Sequence, residues 1–216
     1  MADDLNYGYK GAYVPQSFGN NTGVFDPADI NNLIKDDKWT QYGQLELIET
    51  QTYSGATANI DFTSIDESTY NVHFMSFNNM QNSGGTSADL SVRFYESGVL
   101  ETASVYQKAF QYGGTNGTFA ADSSTSVSSI LSIAGNYQNK EANGYVYFYN
   151  LGDSTKFSFV TFHNFILNST STGTMNFGSG VLPQASTVDG IQIIMRATGG
   201  TIDEGDFSLY GIKEYS

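Results

Sequence analysis

The chain has 216 residues, no cysteine, and 22 acidic against 9 basic residues, for a formal net charge of −13. This balance argues against a nucleic-acid partner, because following a phosphate backbone requires a face rich in Lys and Arg. It also argues against docking on anionic lipid. The lack of cysteine excludes thiol catalysis and cysteine-ligated zinc, and no segment approaches the roughly 18 apolar residues of a membrane span. We therefore expect no nucleic-acid partner, no membrane partner and no cofactor.

The first 25 residues are rich in Tyr, Gly and Asn and show little hydrophobic periodicity. Five aromatic residues fall in this short stretch, and Trp39 follows it. We interpret the segment as an extended arm that becomes ordered by lying on a partner or a sister chain; a flexible terminus is the alternative. The predicted anchoring contacts are Tyr7, Tyr9, Tyr13, Phe18, Phe25 and Trp39.

One short helix is predicted after the arm, over about 27–36. Asp26 suits an N-cap, Pro27 suits the first helical position, and apolar residues follow at helical spacing. The arm and this helix together form a predicted anchoring segment, 1–43, which precedes a β domain over 44–216.

The rest of the chain predicts strand after strand, because apolar and polar residues alternate over short runs. Clusters of Gly, Asn, Ser and Asp separate the runs, as turns require. Many short strands without helical crossovers predict an all-β antiparallel β-sandwich. A jelly roll is preferred, and other sandwich topologies stay open. The predicted strands cover 44–52, 59–62, 70–77, 89–96, 104–112, 126–135, 144–150, 156–167, 174–177, 191–197 and 206–215.

Catalytic candidates are few. His73 and His163 lie on predicted strands without any nucleophile-elbow, zinc-protease or P-loop motif around them, so we interpret both as structural. Glu46 and Glu49 are three apart on a strand, and we expect them to face opposite sides, which disfavours a glycosidase pair. The sequence therefore predicts a protein that is not an enzyme.

Acidic residues cluster around Gly205, where Asp203, Glu204 and Asp206 are weak candidates for a calcium site. Gly flanked by acids is also ordinary hairpin-turn chemistry. We interpret this segment as a turn and predict no metal site.

Tyr145, Tyr147 and Tyr149 share one face of a predicted strand, and Val146 and Phe148 share the other. If the two apolar residues face the core, three tyrosines stand outward. An outward aromatic row serves either as a subunit contact or as a glycan-binding platform; simple cross-strand packing is the third alternative.

Four stretches of the chain are distinctive in order and texture: GVFDPADINNLIKDDKWTQYG (23–43), GQLELIETQTYSGATANIDFTSIDESTYNVHFMSFNNMQ (43–81), LSVRFYESGVLETASVYQ (90–107) and GGTIDEGDFSLYGIK (199–213). They resemble structural proteins of tailed bacteriophages, particularly those of marine cyanophages and related podoviruses or myoviruses. In such proteins, a run similar to LIETQT begins the β domain, and a closing strand similar to GDFSLYGI completes the sheet. The resemblance covers 92 of the 216 residues and carries no catalytic motif.

The resemblance implies a non-enzymatic virion component on the particle exterior, such as a capsid decoration, head-fibre or tail-associated protein. Its expected partners are identical subunits, in a trimer or other ring, and the major capsid or tail protein. The alternative is a tail-fibre or receptor-binding module that contacts a host-surface glycan.

Overall fold

A computed structural model describes residues 27–36, 45–82, 88–136, 140–167, 172–196 and 200–214. The chain divides into two compact units, Met1–Tyr42 and Gly43–Ser216. In the first unit, helix α1 spans Pro27–Lys35, which confirms the predicted helix. It begins at a proline and carries Asp29 in its first turn and Lys35 in its last, as the helix dipole favours.

The described residues of the second unit form thirteen strands. They are β1 (Leu45–Tyr53), β2 (Asn59–Phe62), β3 (Val72–Asn82), β4 (Ala88–Glu96), β5 (Val99–Leu100), β6 (Tyr106–Gly114), β7 (Phe119–Val127), β8 (Ile130–Asn136), β9 (Ala142–Tyr149), β10 (Phe157–Leu167), β11 (Gly173–Ala185), β12 (Val188–Met195) and β13 (Ile202–Ile212).

The strands form two antiparallel sheets with the strand order of a jelly roll. The large sheet has the order β1-β13-β3-β9-β10-β11-β6-β7, and the small sheet has the order β2-β12-β4-β5, with β8 also paired to β4. In the large sheet, β1 pairs with β13, and β13 pairs with β3. In the small sheet, β2 pairs with β12, and β12 pairs with β4. This interleaving confirms the predicted all-β sandwich and its jelly-roll topology. Four further strands, β10, β11, β6 and β7, extend the large sheet beyond this jelly-roll core.

The core lies between the inner faces of the two sheets. Phe94 of the small sheet meets Phe148 of the large sheet edge to face, with ring centroids 6.1 Å apart. The hydroxyl of the fully buried Tyr106 accepts a hydrogen bond from the backbone N–H of Phe94 at 3.0 Å, so a polar contact also joins the sheets. Each fully buried aromatic side chain contributes roughly 1.5–3 kcal/mol through its removal from water, so these contacts fix the position of the large sheet.

Three strands differ most from the sequence prediction. β5 and β7 were not predicted, and β11 extends well beyond the predicted 174–177. Pro183 of β11 falls where the pairing to β10 shifts register, since Phe157 pairs with Ala185 but Ser158 pairs with Leu182. A proline is tolerated in such a bulge because no ladder hydrogen bond is required of it. Within the described residues, no helix has the length and apolar character that a bilayer-spanning helix needs.

Candidate interaction surface

The outer face of the large sheet carries three rows of cross-strand neighbours, which we call the aromatic face. The pairing register aligns the rows across the strands. The first row is Leu45, Ile212, Val72, Tyr149, Phe159, Val181 and Gln107; the second is Leu47, Tyr210, Phe74, Tyr147, Thr161, Ser179, Ala109 and Ser123; the third is Thr50, Ser208, Ser76, Tyr145, His163, Phe177, Gln111 and Ala121.

None of the residues in these three rows, all of which lie in described strands, is Asp, Glu, Lys or Arg. The full chain contains 31 such residues. Large apolar side chains nevertheless stand in solvent on this face: Leu47 is 60 % exposed, Phe159 44 % and Phe177 42 %. Isolated exposed apolar residues are normal on a protein surface, whereas a contiguous patch of them marks an interaction site.

The predicted tyrosine row lies at the centre of this face. Val146 and Phe148 are fully buried, as the alternation predicted, so Tyr145, Tyr147 and Tyr149 stand on the outer side. Tyr147 and Tyr149 are only partly exposed, while Tyr145 is 39 % exposed. The assignment of these tyrosines to subunit or glycan contact stays a prediction.

Their rings pack into a continuous group, which we call the ring cluster. Phe74 is its hub, with ring-centroid distances of 5.0 Å to Tyr147, 5.9 Å to Tyr145 and 6.0 Å to Tyr210. His163 extends the cluster, edge-on to Tyr145 at 5.8 Å. Aromatic pairs at such distances each contribute about 0.5–1.5 kcal/mol beyond burial. The tyrosines therefore pack against neighbouring strands and are partly exposed at the same time. These contacts hold the rings of the cluster in fixed positions.

The outer face of the small sheet has a different character, because its polar groups are bound to one another. The Asp61 carboxylate accepts hydrogen bonds from the Tyr95 hydroxyl at 2.7 Å, from the Gln192 amide at 2.8 Å and from Asn59. Burial, together with the hydrogen bond to Asp61, raises the pKa of Tyr95. This arrangement satisfies the carboxylate and gives the small sheet a structural polar network.

Glu46 and Glu49 lie on the same side of β1, so the prediction that they face opposite sides is wrong. A β-bulge between Leu47 and Glu49 changes the alternation, and the two carboxylates therefore lie opposite Gly211 and Leu209, which are two residues apart. Both acids are engaged by neighbours. Glu46 accepts a hydrogen bond from the Tyr70 hydroxyl at 2.5 Å, and Glu49 accepts one from Gln51 at 2.8 Å.

The pKa values around these acids reflect the same contacts. The hydrogen bond to Glu46, followed by burial, raises the pKa of Tyr70 to about 12. Lys213 lies 3.6 Å from the Glu46 carboxylate. Glu46 is therefore held between a hydroxyl donor and an ammonium group.

The two histidines occupy opposite sides of the large sheet. His73 is fully buried, and its Nε2 lies 2.7 Å from the carbonyl oxygen of Ile65. Burial lowers the pKa of His73. His163 lies on the aromatic face, and the sheet thus separates it from His73.

The acidic residues Asp203, Glu204 and Asp206 belong to strand β13 and not to the predicted turn. Register shifts between Ile202 and Glu204 and between Glu204 and Asp206 interrupt the strand there. Asp206 accepts a hydrogen bond from the Thr52 hydroxyl at 2.7 Å. Within the described part of the chain, no three His, Asp or Glu side chains come close enough together to hold a metal ion.

The predicted anchoring residues lie outside the described residues. They are Tyr7, Tyr9, Tyr13, Phe18, Phe25 and Trp39.

Sequence comparison matches no family model and no curated protein. Among solved structures, a similarity is found to the CBM2 module of an evolved Dit from Lactobacillus casei BL23 phage J-1, with 13% sequence identity and a TM-score of 0.24 over 82% of this chain and 83% of that one. At that TM-score, the similarity carries no argument about fold or function.

Proposed function

We propose that this chain is a non-enzymatic bacteriophage virion protein whose β-sandwich associates with identical subunits through the aromatic face. The observation that carries the proposal is the absence of Asp, Glu, Lys and Arg from the three described rows of that face in a chain of net charge −13. The resemblance of the sequence to structural proteins of tailed phages supports the setting, and the jelly-roll fold, which is common in viral capsid and lectin domains, is compatible with it.

The net charge of −13 limits which surfaces of two copies can approach each other. Two copies that meet through their charged surfaces pay for repulsion between like charges. Two copies that meet through uncharged aromatic faces avoid this repulsion and remove apolar area from water. Interface cores are depleted of charge and enriched in aromatic residues in the same way. A two-fold dimer presents the same patch from each subunit, whereas a larger closed ring joins two different patches of neighbouring subunits.

The position within the virion is the finer part of the proposal. The chain decorates the capsid or forms a head fibre, with residues 1–43 anchored on the major capsid protein or, in a tail location, on a tail protein. The aromatic residues of the arm supply the apolar contacts, and the β domain lies on the particle exterior.

Deletion of residues 1–25 tests the anchoring step. We expect the truncated chain to keep its β domain and its self-association in sedimentation velocity but to be lost from purified particles. Particles that incorporate the truncated chain at the full-length level would contradict an anchoring arm. A density map of the intact particle then distinguishes capsid from tail.

A second candidate function is a tail-fibre or receptor-binding module that contacts host-surface glycan. One specific feature favours it: the half of the aromatic face on β10, β11, β6 and β7 is grooved, whereas the ring cluster is centred on Phe74 of β3 and reaches β10 only through His163. Binding of the full-length chain to host cells, measured by pull-down, tests this function. Cells that retain none of the chain would exclude it.

A further inference from the structure

An open groove of about 790 Å³ crosses the added strands of the large sheet. Its floor is the run of small side chains at the end of the second row, Thr161, Ser179, Ala109 and Ser123. The neighbouring rows form the walls. Phe159 of the first row lines this groove directly, and Phe177 of the third row lines an adjoining depression of about 490 Å³ that shares Ala109 and Ser123 with it. We call the groove and this depression together the transverse groove.

The dimensions of the transverse groove follow from the sheet geometry. The wall rows are four residues apart along β10, which corresponds to about 13 Å at 3.3 Å per residue. Four strands about 4.8 Å apart give the floor a length of about 14 Å from β10 to β7. The volumes of about 790 Å³ for the groove and 490 Å³ for the adjoining depression each fall within the range of roughly 300–1,000 Å³ that is usual for ligand sites.

The polar groups in this groove are available for a ligand. In the described strands, the side chains of Gln107, Gln111, Ser179, Ser123 and Thr125 make no side-chain hydrogen bond. The floor hydroxyl of Thr161 is engaged, since it lies 3.1 Å from the Tyr149 hydroxyl. Amide and hydroxyl groups that are free, and that stand between two exposed rings, combine apolar contact with hydrogen-bonding capacity.

The lining is also almost free of charge. Lys108 and Asp122 belong to strands that border the groove, but they form an ion pair with each other at 3.0 Å, and the Lys108 side chain is only 7 % exposed. A polyanion would therefore meet no free cation among the described residues that line the groove, and it would be repelled by the acidic chain as a whole. A second copy of the chain can meet the ring-cluster half of the aromatic face, but it is a poor occupant of the groove itself, because an uncharged flat sheet would leave the free amides and hydroxyls of the groove without partners.

We propose that the transverse groove binds a neutral polysaccharide chain. Sugar rings pack their C–H faces on Phe159 and Phe177, and their hydroxyls exchange hydrogen bonds with Gln107, Gln111 and Ser179. Such a ligand matches the lining, since it is uncharged, apolar on its ring faces and rich in hydroxyls on its edges. This inference rests on the second candidate function, and it assigns that function to the added strands and not to the tyrosine row.

The test is affinity electrophoresis of the full-length chain in native gels that contain a dissolved polysaccharide. The neutral probes are dextran, laminarin, hydroxyethylcellulose and galactomannan, and the acidic probes are pectate and alginate. We expect retardation by at least one neutral probe and by neither acidic probe. Retardation by no neutral probe, or by an acidic probe in preference, overturns the inference.

Two variants place the binding in the groove. Phe159→Ala removes a wall, and Ser179→Trp fills the floor with an exposed side chain that the core does not contact. Each is expected to weaken binding at least 10-fold. The matched control is Phe165→Ala, because Phe165 lies on the same strand and face with 47 % exposure but outside the groove. Equal loss in all three variants, or loss in none, overturns the assignment to the groove.

Sedimentation velocity and host-cell pull-down on the same proteins separate this inference from the proposed functions. Self-association that survives in a chain that binds no polysaccharide leaves the assembly proposal standing and refutes the groove. Cell binding that survives Ser179→Trp leaves the receptor function standing and also refutes the groove.

Discussion

A charge placed in the aromatic face is the sharpest probe of subunit association, and Ser76 is the position to change. Its side chain is small and partly exposed, and its cross-strand neighbours are Ser208 and Tyr145. Substitution there leaves every ring of the ring cluster in place. Ser76→Asp and Ser76→Arg introduce opposite charges at the same point.

The magnitude follows from desolvation. A charge without a partner that becomes buried in an interface costs about 2–5 kcal/mol, and 2 kcal/mol corresponds to about a 30-fold weaker dissociation constant. The two signs separate this effect from long-range charge. In a chain of net charge −13, Arg reduces the general repulsion between copies and Asp increases it, whereas desolvation penalises both.

Sedimentation equilibrium of the full chain measures the effect, and urea unfolding checks that each variant folds. The matched control is the same pair of substitutions at Thr63, an exposed residue between β2 and β3. We expect both Ser76 variants to weaken association at least 30-fold and both Thr63 variants to leave it within about twofold. Association that survives both Ser76 changes would refute an interface on this face.

Three further predictions concern the fold, each measured by urea unfolding. Burial lowers the pKa of His73, so the unfolded state binds a proton more readily than the folded state does. The free energy of unfolding therefore falls as the pH drops below about 6.5, by up to about 1.4 kcal/mol per pH unit. His73→Leu should remove that part of the slope. Gly152→Ala should cost about 1–3 kcal/mol, because its Cβ would lie 2.0 Å from the carbonyl oxygen of Glu67; an unchanged midpoint contradicts this. Asp122→Asn leaves the buried Lys108 ammonium unpaired, whereas Lys108→Met leaves unpaired a carboxylate that is half exposed to water. Asp122→Asn should therefore destabilise the chain more than Lys108→Met does; the reverse order would contradict this reasoning.

Apart from the two-residue β5, the sequence predicted the strands that form the jelly-roll core, because each has one face in the core and one face outside. β7 was missed since both of its sides are largely exposed at a sheet edge, so no alternation is selected. β11 was predicted too short because Gly178 interrupts its apolar pattern. A Cβ at this position would lie 2.4 Å from the Cβ of Phe110, so the close packing of β6 requires a glycine there.

The candidate site was predicted only in part, for a related reason. Alternation along one strand suffices to place Tyr145 outside, given that Val146 is inside. The transverse groove depends on which strands are neighbours and on their register, since Phe159 and Phe177 come from strands whose pairing no local pattern specifies. The bulge that turns Glu49 to the side of Glu46 is likewise a property of the pairing with β13 and not of the residues in β1.

The aromatic face is not required for core formation, because the opposite faces of the same strands already supply the core. Val160 and Phe162 of β10 are buried, while Phe159 beside them is exposed. A solvated sheet face gains solubility from charged residues and loses little stability through them. Because a chain with 31 charged residues places none in these rows, we expect the rows to serve contacts that a charge would weaken. The flat ring cluster suits a surface of matching shape, and the transverse groove suits a narrow chain, so the two halves of the face are expected to respond to different substitutions.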